Sequence, residues 1–266
     1  MPEICDIVEN SICKGKTRMN LRKSLLRTYW ASAKIIVPAL KYSAALYEEI
    51  LNSYVGREKT WLDLGCGHQV LPEWRSKEER ELVNKCKLMV GVDYDYDSLK
   101  QNKTVSNRIR VDISHLPFKE NSFDLATANM VVEHLECPDG SFQEIRRVLK
   151  PQGIFVFHTP NSLSYLAIIG RLVPSMIKDK LIFLLQGRKM EDVFRTYYRV
   201  NTRKRIAALS DRAGFKIMKV KMVVTPPLSI IIPPLMLIEL IWIRILMTTP
   251  FKALRTNIIA ILKKER

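Results

Sequence analysis

The chain has 266 residues and a formal net charge of +16, and its length suits one α/β domain with added segments. We find no internal repeat or low-complexity tract, which excludes a repeat array. The five cysteines are odd in number and lack paired metal spacing, and no secretory signal opens the chain, so we expect reduced thiols, no metal and a cytoplasmic location.

A basic segment precedes the first predicted strand. Residues 21–54 carry apolar side chains at helical spacing, and Pro38 predicts a break into two helices. Residues 14–41 hold eight Lys or Arg and no acid. We therefore assign residues 1–54 to an N-terminal basic helical segment and residues 55–266 to the principal domain.

The most specific motif is Trp-Leu-Asp-Leu-Gly-Cys-Gly at residues 61–67. A short apolar run reaches Asp63 and then enters Gly65, Cys66 and Gly67, which is typical of a buried strand followed by a tight turn that approaches a ligand. Dinucleotide-binding folds place their ligand over such a turn. A pyrophosphate has no use for a carboxylate at Asp63, so this acid indicates a cationic ligand.

A second apolar run, residues 88–93, ends in Asp93. An acid that closes the second strand accepts hydrogen bonds from ribose hydroxyls in nucleoside-binding folds, and Tyr94 is placed to stack near the adenine. Asp93 lies 30 positions after Asp63, whereas about 20 is the ordinary spacing. Residues 68–87 are therefore an insertion or a lengthened first helix.

The next segments continue the alternation of strands and helices. Asp112 and Ile113 follow a short run, and the carboxylate of Asp112 can accept from an adenine amino group. A fourth strand is predicted to end at Asn129 and Met130. A helix then occupies residues 131–150, Pro151-Gln152-Gly153 stops it, and residues 154–157 form the next buried strand.

These motifs resemble those of the class I S-adenosylmethionine (SAM) methyltransferases, with residues 63–67 similar to motif I. Residues 107–161 resemble the type 11 subfamily, which includes quinone-biosynthesis enzymes, in the phrases LPFKENSFDLATANMVVEHL, EIRRVLKPQG and HTPN. The resemblance returns at residues 197–221 and 256–264. It implies an α/β fold with a Rossmann-like seven-stranded sheet, helices on both faces, and SAM as cofactor. The implied cofactor contacts are Asp63, Gly65, Cys66, Gly67, Asp93, Tyr94, Asp112, Ile113, Asn129 and Met130.

Candidate residues for the chemical step follow the fourth and fifth strands. An oxygen acceptor needs its proton removed, and His134 is the first candidate base because an imidazole titrates near neutral pH. His158 is the second, and for each histidine a structural or substrate-contact role is an equal alternative. Tyr197, Tyr198 and Arg199 are predicted to open the last long helix and to line the acceptor side, with Arg199 as an anion clamp.

Two apolar insertions lie late in the chain. Residues 162–196 follow the fifth strand, where the family builds a lid over the acceptor pocket. Residues 226–250 are long enough for a membrane span, but Glu239 and Arg244 would each cost about 2.5–3.5 kcal/mol near a bilayer centre. The strands on both sides of this segment belong to one sheet, so we expect an apolar hairpin that goes out and returns. The hairpin contacts an anionic membrane surface, packs against the lid, or forms a subunit interface.

The charge distribution bears on the partner. Basic residues concentrate in residues 14–41 and 186–221 rather than in the sheet, which favours an anionic membrane or nucleic acid, with a solvated basic face as the alternative. We expect a SAM-dependent methyltransferase that acts on a small-molecule, lipid or lipid-linked acceptor at the inner face of the membrane. A nucleic-acid (rRNA or tRNA) methyltransferase rests on charge alone, because the fourth strand lacks an Asn-Pro-Pro-Tyr motif. A non-catalytic SAM-binding protein is the third alternative.

Overall fold

A computed structural model describes residues 16–172 and 195–265. The fold divides into a sheet unit and a helical unit. Among the described residues, the sheet unit consists of residues 43–162, 195–223 and 257–265, and the helical unit of residues 16–42, 163–172 and 224–256. The division falls after Tyr42 rather than after the predicted residue 54, so the second half of the N-terminal segment belongs to the sheet unit.

Seven strands form one sheet. They are β1 Thr60–Leu64, β2 Leu88–Asp93, β3 Asn107–Arg110, β4 Phe123–Asn129, β5 Leu149–Pro160, β6 Phe215–Val223 and β7 Asn257–Lys264. Their order is β3-β2-β1-β4-β5-β7-β6, with β1 to β5 parallel and β7 antiparallel to both of its neighbours. The predicted Rossmann-like seven-stranded class is confirmed.

Helices connect these strands and build the second unit. They are α1 Lys16–Ile36, α2 Ser43–Tyr54, α3 Ser76–Asn84, α4 Tyr96–Gln101, α5 Pro138–Val148, α6 Tyr165–Leu172, α7 Arg203–Arg212 and α8 Pro233–Leu246. Short 3-10 turns lie at Glu73–Arg75, Val132–His134 and Lys252–Leu254. The predicted break at Pro38 is confirmed, because α1 ends before it and α2 begins after it.

The sheet carries an apolar core on each face. Leu62 and Phe155 lie in one core cluster, whereas their neighbours Trp61 and Val156 lie in the other. Successive side chains of a strand point to opposite faces, so strands that are buried on both sides must be apolar throughout. This explains why the central strands β1, β2 and β4 read as nearly continuous apolar runs, whereas the edge strands β3 and β6 contain exposed basic residues.

The helix before β5 ends earlier than predicted. α5 ends at Val148 rather than at residue 150, and Gln152, near the start of β5, adopts a left-handed φ of 67°. The carbonyls of Arg147 and Val148 accept from the backbone N–H groups of Asn121 and Ser122, at 3.0 and 2.8 Å. These bonds to the turn before β4 take up the last carbonyls of α5, so the chain passes directly into β5.

The helical unit has its own apolar cluster, built chiefly by α1 and α8. Tyr29 and Ala33 of α1 are buried with Met236, Leu240 and Ile243 of α8. The 226–250 segment therefore contains a single helix, and the chain returns toward β7 through the 3-10 turn at Lys252–Leu254. No helix within residues 16–172 and 195–265 is long and apolar enough to cross a bilayer.

The predicted lid is described in part. Its first helix, α6, packs on α8, since the Tyr165 hydroxyl donates to Glu239 Oε1 at 2.7 Å and the Tyr165 and Trp242 rings are 6.3 Å apart. This agrees with the alternative in which the two apolar insertions pack on each other. Residues 173–194 of the predicted lid lie outside the described residues.

Candidate functional site

The candidate site lies at the carboxyl edge of the parallel strands. β1 lies between β2 and β4, so the strand order reverses there, and ligands of open α/β sheets bind in the crevice at such a reversal. The ends of β1, β2 and β4 and the turns that follow them contain most of the predicted cofactor residues. The fold therefore brings those residues to one edge, although they are spread over residues 63–130.

Two glycines shape the turn after β1. Gly65 has a φ of 64° and Gly67 a φ of 48°, which is the left-handed region that side chains disfavour. A Cβ atom on Gly65 would also overlap the side chain of Val131. Cys66 between them is buried, and burial raises the pKa of its thiol. The cysteine fills a tight space and is not an activated nucleophile.

The segment after this turn is a loop held by a buried acid. Glu79 of α3 is almost fully buried, and its Oε2 accepts from the backbone N–H groups of Val70 and Leu71 at 3.1 and 2.8 Å. The predicted insertion between Asp63 and Asp93, residues 68–87, is thus a loop followed by the short helix α3. The sequence did not predict that Glu79 would hold this loop, because a single glutamate in a polar helix belongs to no motif.

Asp93 is linked directly to the glycine turn. Its Oδ2 accepts from the Gly67 backbone N–H at 2.8 Å, and its Oδ1 accepts from the Asp95 backbone N–H at 2.8 Å. Each carboxylate oxygen has two acceptor positions, so the oriented carboxylate retains capacity for two hydroxyl donors. This geometry suits the predicted contact with ribose hydroxyls.

Asn102 holds the same turn from behind. The side chain is buried, its Nδ2 donates to the Gly67 carbonyl at 3.1 Å, and its Oδ1 accepts from the Thr104 and Val105 backbone N–H groups at 3.1 and 2.9 Å. Sequence reasoning missed this residue, because an isolated asparagine after a short helix carries no motif. It fixes the turn without being part of the glycine pattern.

Asp63 is a buried carboxylate in a negative environment. The Thr127 hydroxyl donates to Asp63 Oδ1, and the Trp61 Nε1–H donates to the Thr127 oxygen at 2.6 Å. Burial raises the pKa of Asp63 to about 7, and the charges of Glu79 and Asp93 raise it further against the lowering effect of the Thr127 bond. A cationic ligand near these carboxylates would favour the ionised form of Asp63.

Tyr94 lies beside Asp93 on the predicted adenine side. Its side chain is 67% exposed, and the Arg110 guanidinium lies 5.5 Å from its ring centroid. Arg110 Nε also donates to the Tyr94 carbonyl at 3.0 Å. The ring is therefore held at the edge of the sheet with area available for stacking.

Asp112 and Ile113 lie close to Asp93. The backbone N–H of Val111 donates to the Asp93 carbonyl at 3.0 Å, which brings the next residue, Asp112, to the same edge. Asp112 is exposed and its Oδ1 accepts from the Ser114 N–H and hydroxyl, both at 2.8 Å, while Ile113 packs against the core. An exposed carboxylate with further acceptor capacity is compatible with an adenine amino group.

His158 is tied into the edge by both ring nitrogens. Its Nδ1 donates to Asn129 Oδ1 at 2.9 Å, its Nε2 accepts from Asn257 Nδ2 at 2.8 Å, and its ring stacks on Tyr47 at 5.6 Å. Burial lowers the pKa of His158 to about 4. Its carbonyl accepts from Met130, which has a left-handed φ of 57°. A neutral ring used in this way orients Asn129 and Met130 rather than serving as a base.

His134 and Glu133 anchor the segment that leads into α7. His134 Nδ1 donates to the Arg195 carbonyl at 2.9 Å, so the neutral ring has its basic lone pair on Nε2. The Glu133 carbonyl accepts from the Tyr197 and Tyr198 backbone N–H groups at 2.8 and 3.1 Å. Its buried carboxylate accepts from the Thr159 hydroxyl at 2.8 Å, and burial raises the pKa of Glu133.

Tyr198 and Arg199 do not open a helix, contrary to prediction. Tyr198 has a φ of 52°, and α7 begins later, at Arg203, where the Thr202 hydroxyl accepts from the Arg205 backbone N–H at 3.2 Å. The cap and the left-handed residue together exclude an earlier helix start. The Arg199 guanidinium donates to the Glu136 carbonyl, and its role as an anion clamp stays a prediction.

The fold and this edge define a class. A sheet with this strand order, a glycine turn after β1 and an acid at the end of β2 are features of a class I SAM-dependent methyltransferase. Residues 62–157 match the family model described as "Methyltransferase domain". Residues 62–157 are thus a methyltransferase domain similar to the type 11 family, as the motifs predicted, and the family and the fold imply SAM as the cofactor.

Curated relatives align over the same region. "Arginine-hydroxylase NDUFAF5, mitochondrial" of Danio rerio is 35% identical over 98 residues, which are 36% of this chain and 29% of that protein. The malonyl-[acyl-carrier protein] O-methyltransferase of Legionella pneumophila is 32% identical over 104 residues, which are 37% of this chain and 35% of that enzyme. The alignments thus span about a third of each of these relatives.

Solved structures share the fold over most of the chain. A SAM-dependent methyltransferase from Methanosarcina mazei aligns with a TM-score of 0.54 at 17% identity, and covers 81% of this chain and 97% of its own. One from Mesorhizobium loti aligns with a TM-score of 0.52 at 20% identity, and covers 83% and 97%. These similarities establish the fold.

The residues at the edge fit SAM in three respects. The turn is open at Gly67, where a Cβ would lie 4.0 Å from the Asp93 carboxylate. Asp93 is held with acceptor capacity for ribose hydroxyls. The carboxylates of Asp63, Glu79 and Asp93 create a negative potential that suits a ligand carrying sulfonium and ammonium groups.

Proposed function

We propose that the protein transfers a methyl group from SAM to a lipid, a lipid-linked molecule or a small apolar molecule. The observation that carries the proposal is the glycine turn bonded to Asp93, within the region that matches the methyltransferase domain. Bound SAM supplies an activated sulfonium methyl. The protein's main contribution is then to align the acceptor with that methyl group and to exclude water.

The edge residues divide this work. Asp93 and the Gly65–Gly67 turn bind the nucleoside, and Asp63 supplies negative charge behind them. Asn129 and Met130 are oriented by His158 at the end of the strand next to β1. His134 is the candidate base for an oxygen acceptor, because an imidazole can accept a proton near neutral pH and its ring is oriented by the Arg195 carbonyl.

The apolar character of the helical unit supports an apolar acceptor. Its exposed large side chains include Ile168 and Ile169 of α6 and Ile238 and Ile241 of α8. Exposed apolar area of this kind marks interaction sites for apolar partners. The Legionella relative is by name an O-methyltransferase, which supports an oxygen acceptor here as well.

Transfer of labelled methyl from SAM to fractionated cell extract tests the proposal. We expect label in the lipid or apolar small-molecule fraction with the wild-type protein, and much less with Asp93→Ala at a SAM concentration below saturation. Asp97→Ala is the matched control, since Asp97 is an exposed carboxylate on the neighbouring helix α4. Label confined to RNA would replace the proposal with a nucleic-acid methyltransferase. SAM binding without transfer to any fraction would indicate a non-catalytic SAM-binding protein.

A further inference from the structure

One side of α8 is a continuous exposed apolar stripe. Its inner side, with Met236, Leu240 and Ile243, is fully buried. On the opposite side four large apolar residues recur every three or four positions, at Leu235, Ile238, Ile241 and Ile245, so they lie in one row along the helix. Ile238 is 63% exposed and Ile241 is 53% exposed, values far above those of a core helix.

The acid of α8 is directed away from this stripe. Glu239 Oε1 accepts from the Tyr165 hydroxyl at 2.7 Å and from the Leu228 N–H at 3.1 Å, and its Oε2 accepts from the Ser229 N–H and hydroxyl at 3.0 and 2.5 Å. Its carboxylate is therefore satisfied within the helical unit. From the sequence we expected Glu239 to carry a free-energy penalty at an apolar surface. Its carboxylate does not lie on the exposed apolar side of α8, so that side carries no such penalty.

The stripe has aromatic and further aliphatic neighbours. Ile231 and Ile232, just before α8, are exposed. The half-buried Trp242 ring lies 6.3 Å from the Tyr165 ring and 6.2 Å from the Phe251 ring. Tyrosine and tryptophan are the residues that favour the boundary between lipid and water.

The charge of the helical unit has one sign. Its described segments contain eleven Lys and Arg and one acid, the bonded Glu239. Arg171, Arg244 and Lys252 are exposed in the segments that contain α6 and α8. An apolar stripe in a basic unit is complementary to a surface that is apolar inside and anionic outside, which is the boundary of a bilayer with acidic lipids.

We propose that the α8 stripe docks the protein on a bilayer surface that contains anionic lipids. α8 has 14 residues and is about 21 Å long, so it suits a helix lying in the plane of the interface. The Leu235–Ile245 row enters the boundary between headgroups and acyl chains, while the basic residues meet the lipid phosphates. Docking does not require methyl transfer, so it stands or falls independently of the proposed function.

Vesicle flotation of the full chain tests the docking. We expect the protein to float with phosphatidylcholine vesicles that contain phosphatidylglycerol, and to float weakly with phosphatidylcholine alone. High salt should weaken the association without abolishing it, because screening acts on the charges and not on apolar burial. The double variant Ile238→Ser/Ile241→Ser should lose about tenfold or more in vesicle partitioning.

A matched control separates the stripe from general surface hydrophobicity. Ile217→Ser/Met218→Ser removes two exposed apolar side chains from β6 in the sheet unit, and should float like the wild type. Thermal unfolding and SAM binding should be unchanged in both double variants. The proposal would be overturned if the wild-type protein did not float with anionic vesicles at low salt. It would also be overturned if the Ile238→Ser/Ile241→Ser variant floated as well as the wild type. A wild-type dimer that the α8 variant converts to monomers, without flotation, would assign the stripe to an interface between copies.

Discussion

Replacing Asp63 by Asn should stabilise the folded protein at high pH while weakening its cofactor binding. The amide oxygen of Asn can still accept from the Thr127 hydroxyl, so the substitution changes chiefly the charge. The pKa of Asp63 is about 7 in the folded state and 3.8 in the unfolded chain. Between these values the folded state retains a proton that the unfolded state has released, so wild-type stability falls as the pH rises.

The size of this effect follows from the pKa difference. Each unit corresponds to about 1.4 kcal/mol, so between pH 5 and pH 8 the wild type should lose about 2–3 kcal/mol relative to Asp63→Asn. Other titrating groups, such as Glu133 and His158, are common to both proteins and cancel in the comparison. Below the unfolded pKa, Asp63 is neutral in both states and its contribution to the pH dependence vanishes.

Denaturant unfolding of both proteins at pH 5 and pH 8 measures this difference. The expected result is a gap in unfolding free energy that grows with pH in favour of Asp63→Asn. At pH 8 calorimetry should show SAM binding weakened about tenfold in the variant, because the carboxylate that favours the cationic ligand is lost. A gap that does not change with pH would refute the assignment of Asp63 as a buried carboxylate that ionises near neutrality.

Further substitutions test the edge. Asp93→Ala should lose about 1.5–3 kcal/mol of SAM-binding free energy, measured by calorimetry. Asn102→Ala should lower the thermal stability and weaken SAM binding less. Equal losses of SAM affinity in the two variants would contradict the ribose contact of Asp93. Gly65→Ala should destabilise the protein by about 1–3 kcal/mol, because its φ is left-handed and its Cβ overlaps Val131, and Val131→Ala should relieve that only in part. His134→Ala should lower the turnover number about 100-fold with unchanged SAM affinity, and full turnover would make His134 structural.

The strands and their acids could be predicted because burial on both faces leaves a strong signal. A run such as residues 88–93 must be apolar throughout to lie between two cores, and its terminal acid then falls at the carboxyl edge. The same logic located the turn after β1, where a left-handed φ requires glycine at Gly65 and Gly67. Fold class and the outline of the edge therefore follow from local patterns.

The remaining features depend on contacts between distant residues. Asn102 holds the glycine turn through hydrogen bonds across 35 positions, and Glu239 is turned inward by Tyr165, 74 positions away. The segment at Tyr198 does not join α7, because the Glu133 carbonyl accepts from the Tyr197 and Tyr198 backbone N–H groups. Periodicity and motif spacing contain no information on such pairings.

Calorimetric titration of the purified wild-type protein with SAM tests the central claim most directly. The account predicts saturable binding at one site per chain, competition by S-adenosylhomocysteine, and strong loss of affinity in a folded Asp93→Ala variant. A folded wild-type protein that binds no SAM, or that binds it equally well after Asp93→Ala, would contradict the assignment of the edge formed by β1, β2 and β4 as the cofactor site.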